Sequence, residues 1–577
     1  MRYFAFLLLC VMTLALHPAS SAQTAELNEY VIMLSAQISE SPAKIRLQWP
    51  GYTVPMGSYE VYRKNKNATS WEKVATLSGS ATSYEDTNVV VGKTYEYRFM
   101  TKPGAAPGFD MVLDFSKTRQ GYIFAGIKVP PVESRGKVVL LVESEQAKAL
   151  RTELKTLKTD LIGDGWTVLR HDVPRNATPQ STRALIQADY NADPANVKAV
   201  FLLGHIPVFN PVFKSGNLAP DGHTNHMGPW PADAYYGSMD TSWDDNIPEN
   251  PGYAQSKIPG NVQLQVGRVD FDNMPAFQKN ATELLRQYLN KNHKYRIGQM
   301  TATKNAFISD GFGRGKLDNA ASYNGYKLFS TLWGPNARID DGPWTQYLPQ
   351  DTYTWGHING GGSYTSCAAV GGTLTTGHLA TQNYGVIFWQ SFGSYFGNWN
   401  TQNNLMRALL AMPDYGLTSA WTGRPHWFFH HMALGETIGY STWLTQNNKG
   451  ILYAPSGGIG ANDVHIALMG DPTLRMFPVL PATNLQAKSV SGTTELQWTA
   501  SEDSEVTDYY VYGASNPGGP YKRLEIVKGT NWINVNPGNT KYYMVRASKL
   551  IPTGSGSFYN LSQGTMAEQH RRLTQSD

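Results

Sequence analysis

KVVLLVES, residues 137–144, is a near-continuous apolar run of strand length, and its reading decides the architecture of the middle of this chain. A run that is apolar throughout, rather than at alternate positions, marks a strand covered on both faces. A helical stretch over 146–162 follows. Then come WTVLRHDV (166–173) as a second strand, a helix around 182–190, and VKAVFLLGHIPV (197–208) as a third buried strand. Strands alternating with helices predict a largely parallel sheet with helices on both faces. In such sheets, sites lie beyond the carboxyl ends of the strands. His205 has that address, although a core or loop histidine fits the position equally.

Outward from this centre the period changes to two. KIRLQW (44–49), YEVYRK (59–64) and TYEYRF (94–99) are short strands separated by Gly, Pro and Asn turns. They predict a small antiparallel sandwich over residues 28–105. The pattern returns in LQW (496–498), DYYVYG (508–513) and KYYMVRA (541–547), giving a second sandwich over 481–566. Both resemble fibronectin type III domains, which space, stabilise or bind, so chemistry is expected between them.

Composition excludes several classes. At 577 residues, 41% hydrophobic and 12% aromatic, the chain is long and apolar enough for several cores, so wholesale disorder is excluded. A formal net charge of +4 without long Lys/Arg runs argues against a nucleic-acid or polybasic membrane partner. Arg2, an apolar stretch over 4–16 and the small residues Ala19-Ser20-Ser21-Ala22 read as a signal peptide over residues 1–22. The mature protein is expected to be secreted or held at the cell surface, with no transmembrane span. Cleavage removes Cys10 and leaves Cys367 as the one cysteine, so no internal disulfide is expected.

The most distinctive pattern lies between 351 and 400. YTWGHINGGGSY (353–364) places His357 between an extended segment and a Gly-rich loop. YGVIFWQSFGSYFGNW (384–399) is a buried strand entering a turn, with Ser391 and Ser394 as hydroxyls. A histidine at one strand end and a nucleophile at the next is how open α/β hydrolases pair a base with a nucleophile. Backbone N–H groups around Gly356 to Gly361 would form an oxyanion hole.

The order FLLGHIPV, PADAYYGSMD, QVGRVDFDN, TYTWGHINGGG, GSYFGNW and HIALMGDPTLR resembles the gingipain-type cysteine peptidases. The resemblance implies a central α/β domain of caspase-like fold, with a mostly parallel sheet, over residues 130–478. It also implies a base at His357, in the Gly356-His357 element, and a nucleophile position at Ser394, in the element 394–399. Two positions depart from the family pattern: Ser394 stands where the family has cysteine, and Ile358 where it has glycine. A hydroxyl needs a closely hydrogen-bonded base, whereas a thiol is partly ionised by itself. Trp427 resembles the aromatic wall of the family's specificity pocket, and a core tryptophan fits it equally. His430 and His431 read as part of a helix and receive no role.

Asp221, His223, His226, Asp233, Asp240 and Asp244 form an Asp/His-rich stretch suited to structural calcium or to a plain solvated loop. Otherwise no cofactor is required. Three functions remain open: an extracellular peptidase with Ser394 and His357, a catalytically lapsed domain whose cleft binds an extracellular protein, peptide or glycan, and, third, a metal hydrolase built on His223 and His226.

Overall fold

The structure, a computed structural model, describes residues 31–51, 57–102, 119–211, 226, 229–243, 258–312, 320–421, 427–449, 452–453 and 463–571. Residues 1–22, expected to be a signal peptide, lie outside these residues. No helix among them is long and apolar enough to cross a membrane.

The chain is multidomain and sheet-rich. Its centre is a ten-stranded sheet, read from one edge as Ile339–Asp341, Lys304–Asp310, Tyr353–Asn359, Val386–Phe392, Thr418–Trp421 and Leu468–Gly470. It continues through Gln265–Val269, Val197–Leu203, Gly136–Glu143 and Trp166–Val173. The ladders within each half are parallel. The short strand Leu468–Gly470 runs antiparallel to Thr418–Trp421 and meets the other half through Arg268 and Met469.

The apolar run at 137–144 behaves as a doubly covered strand. Val138, Leu140 and Val142 enter one core cluster, while Val139 and Leu141 enter another on the opposite face. The helical stretch after it divides at Leu150 into Ser144–Ala149 and Arg151–Gly163, the second burying Leu154, Leu157 and Leu161. The next helix, Pro179–Ala192, begins earlier than its apolar pattern suggests. Thr178 caps it by accepting from Ser181 N, and Pro179 occupies the first turn, where no amide donor is needed.

Each end of the chain forms a sandwich. Ile45, Leu47, Trp49, Tyr59, Val61, Tyr97 and Phe99 share the N-terminal core. Leu496, Trp498, Tyr509, Val511, Tyr543 and Val545 share the C-terminal one. The two are not separate modules flanking the centre. Strand Gln120–Val129, between the expected sandwich and the central domain, pairs with Thr94–Lys102 on one side and with Gly556–Leu561 on the other. One continuous sheet therefore runs from the N-terminal sandwich into the C-terminal one.

Candidate functional site

His357 lies on Tyr353–Asn359 and is fully buried. Its strand does not end at the histidine. Ile358 pairs with Ser309 and Ser391, and Asn359 with Asp310 and Phe392, so the ladder runs two residues further. A β-branched side chain suits a strand, where glycine would permit a turn. Ile358 thus draws His357 into the body of the sheet. There Nδ1 meets Gln390 Oε1 at 3.2 Å, and Nε2 makes no hydrogen bond. Burial lowers the imidazole pKa to about 4, with the Gln390 contact raising it only in part. A base at that value takes up protons poorly near neutral pH.

Ser394 sits elsewhere, in the turn after Val386–Phe392, half-buried. No hydrogen bond joins it to His357; Gln390, four residues before Ser394, is the histidine's partner. The proposed oxyanion donors are largely engaged. Gly356 lies in the ladder between Phe307 and Trp389, and Gly360 N donates to Phe392 O at 3.1 Å. At Gly362 the chain passes so close to the turn that an added Cβ would lie 2.5 Å from Ser394 N. The Gly-rich segment therefore packs against the Ser394 backbone, and three short antiparallel strands, Gly361–Ser363, Ser366–Ala369 and Gly372–Thr375, follow it.

Cys367, on the second of these strands, is buried, and burial pushes its thiol up. Native protein is expected to resist thiol-specific reagents and to label fully once unfolded. Rapid labelling of folded protein would show instead that this sheet opens.

What the turn presents is aromatic. Tyr395 adopts a positive φ of 66°, and its ring lies 3.9 Å from His226 and 4.7 Å from Tyr364, centroid to centroid. Tyr364 is 38% exposed. Trp230 and Trp421 support this rim from below, and Trp421 Nε1 donates to Gly393 O. The tryptophans nearby are core residues. Trp399 is buried, and Trp427 is 1% exposed, with its indole N–H on Trp421 O. Trp427 is therefore packed in the core and walls no open pocket.

The residues grouped for metal binding divide. Asp221, His223 and Asp244 lie outside the described residues. Asp233 is buried and committed to Arg268, which reaches both its oxygens at 2.8 to 3.1 Å. Asp240 is exposed and accepts from Thr241 and Gln263. His226 belongs to the aromatic rim.

Two groupings escape the sequence pattern. His205 Nδ1 contacts Asp270 Oδ2 at 2.9 Å, beside Asp272, while Glu143 Oε2 accepts from His205 N and Arg175 reaches Glu143 and Asp272. The loop holding Asp272 also carries Asn273, whose carbonyl accepts from Asn403 N beyond the Ser394 turn. Only the strand-end position of His205 pointed there. The second grouping, Glu96 with His430 and His431, joins the N-terminal sandwich to the central domain. Glu96 alternates with the inward-facing Tyr97 and Phe99, so the pattern points it to solvent, where the central domain in fact covers it.

No protein-family model and no curated protein sequence matches the chain. Among solved structures it is similar to the Arg-specific cysteine proteinase gingipain R (RgpB), at 12% identity over 77% of this chain and 100% of that one, TM-score 0.49. It is also similar to dimeric latent PorU from Porphyromonas gingivalis, at 11% identity over 95% of this chain and 65% of that one, TM-score 0.28. A fibronectin type III-like protein from Clostridium thermocellum matches 17% of the chain at 18% identity, TM-score 0.14. All three scores fall below one half, so the chemistry of the site rests on its own geometry.

Proposed function

We propose that this chain is an exported, non-hydrolytic recognition protein built on a gingipain-like α/β core, with the rim around Ser394 as its binding surface. The burial of His357 inside the sheet, on Gln390 rather than on Ser394, carries this reading. A serine hydroxyl without a base in contact is a weak nucleophile near neutral pH. Tyr364, Tyr395 and His226 offer flat faces with polar edges, suited to packing against the side chains of an extended peptide segment. The motif order of the sequence supports the same core, and its first 22 residues support export.

The test pairs turnover with binding on the purified protein. Peptide libraries and serine- or cysteine-directed activity probes are expected to give no turnover and no labelling. Peptide display should return binders whose affinity falls roughly tenfold or more in Tyr395→Ala, as for an aromatic anchor at an interface. Peptide hydrolysis abolished by both His357→Ala and Ser394→Ala would overturn the reading in favour of a working serine peptidase. Capture of glycans alone would move the ligand to another class.

A further inference from the structure

Glu96, His430 and His431 meet at the seam between the N-terminal sandwich and the central domain. Glu96 comes from strand Thr94–Lys102, and the two histidines open a 3₁₀ turn, His430–Leu434. All three are fully buried, and one ligand atom from each lies within 4.8 Å of the others. His430 Nε2 is 2.8 Å from Glu96 Oε1, and His431 Nε2 is 3.4 Å from Glu96 Oε2. His431 is fully inaccessible, its Nδ1 makes no hydrogen bond, and its Nε2 has only the long contact to Glu96 Oε2. Leaving a buried polar group unmatched is costly, and a native structure retains one where something else satisfies it.

Two imidazoles and a carboxylate converging on one point are the donor set of zinc-class divalent ions. We propose that this cluster is a divalent-metal site stapling the N-terminal sandwich to the central domain, in which the ion competes with Lys64 for Glu96. Lys64 Nζ is paired with Glu96 Oε2, and the phenol of Tyr453 donates to Oε1. The ammonium has somewhere else to go: it also donates to Lys66 O at 3.2 Å and lies 5.1 Å from the Trp71 ring. An arriving cation takes the carboxylate oxygen that Lys64 gives up and the lone pair of His431 Nε2. Tyr122, Phe124, Phe428 and Tyr440 close the shell around it, excluding competing water.

The full chain, stripped of metal with a chelator, is titrated with Co²⁺ and with Zn²⁺. One equivalent of Co²⁺ should give the intense visible absorption of a four- or five-coordinate nitrogen/oxygen site, and Zn²⁺ should displace it. His431→Ala should weaken binding by about a hundredfold or more, since losing a direct ligand costs at least as much as losing an outer-shell partner. Lys64→Met should tighten it by about tenfold, because a competing positive charge is removed. His223→Ala combined with His226→Ala should leave the spectrum unchanged. Absence of binding in both the wild type and Lys64→Met would overturn the proposal, as would a Co²⁺ spectrum that survives His431→Ala. The wild-type and Lys64→Met measurements decide the question even where an alanine variant folds poorly.

Discussion

Arg268→Ala is expected to destabilise the protein by about 3–5 kcal/mol, the cost of breaking a buried ion pair from one side. Arg268 is 0% exposed and Asp233 2%. The guanidinium grips both carboxylate oxygens, donates to Ile206 O at 2.7 Å, and lies 4.7 Å from the Trp399 ring. Alanine removes all of these contacts and strands an anion between Gln265–Val269 and the loop after Val197–Leu203. Arg268→Lys should recover only part of the loss, since an ammonium cannot supply the planar two-pronged fork. Denaturant unfolding of the three proteins checks this. A loss under about 1 kcal/mol for the alanine variant would mean that Asp233 is reached by water, and that the pair is no staple of the core.

The second large effect is expected at Asp164, just after helix Arg151–Gly163. Its carboxylate meets Arg296 at 2.6 Å, Arg475 at 3.0 Å and Arg546 at 3.9 Å. Arg546 belongs to strand Tyr542–Thr553 of the C-terminal sandwich, and Arg475 also donates to Leu561 O. Burial opposes the charge on Asp164, but Arg475, Arg296, Arg135 and Arg546 outweigh it and hold the carboxyl well below the usual carboxylate range. A pKa lowered by folding stabilises fully above the unfolded value of about 4, and the contribution fades as pH falls toward the folded value. Asp164→Asn should therefore cost about 3–5 kcal/mol near neutral pH. The gap to wild type should narrow as the pH drops below about 4. A gap that stays constant down to pH 3, measured by unfolding across the range, would assign the loss to packing rather than to charge.

Much of the architecture was legible because burial writes itself as period. The doubly covered strand at 136–143 and the alternating strands around Trp49 and Trp498 follow from hydrophobic pattern alone. What pattern cannot register is contact between distant segments. Glu96 stands at an outward-facing position of its own sandwich, and nothing local says that His430 and His431 will cover it. Asp233 sat in an apparent acidic loop because its partner, Arg268, lies on a strand 35 residues away. The residue types at Gly356-His357 and 394–399 were plain in the sequence, but the partnering of His357 with Gln390 instead of Ser394 was not. That follows from Ile358 continuing a strand, a local preference whose consequence shows only when the neighbouring ladders are in place.

The pairing of Gln120–Val129 with Gly556–Leu561 has a consequence for how the molecule comes to be made. Lys128 N donates to Ser557 Oγ across 429 residues of chain. Contacts so far apart along the sequence close late, because nearly all of the intervening polypeptide must be ordered before they form. Until then, a chain emerging from its N-terminus carries an open strand edge at 120–129, ready to pair with any unprotected β segment nearby. The last sandwich is therefore the cap that ends this exposure. Truncation before residue 556 would remove the partner strand and leave the 120–129 edge open to other β segments.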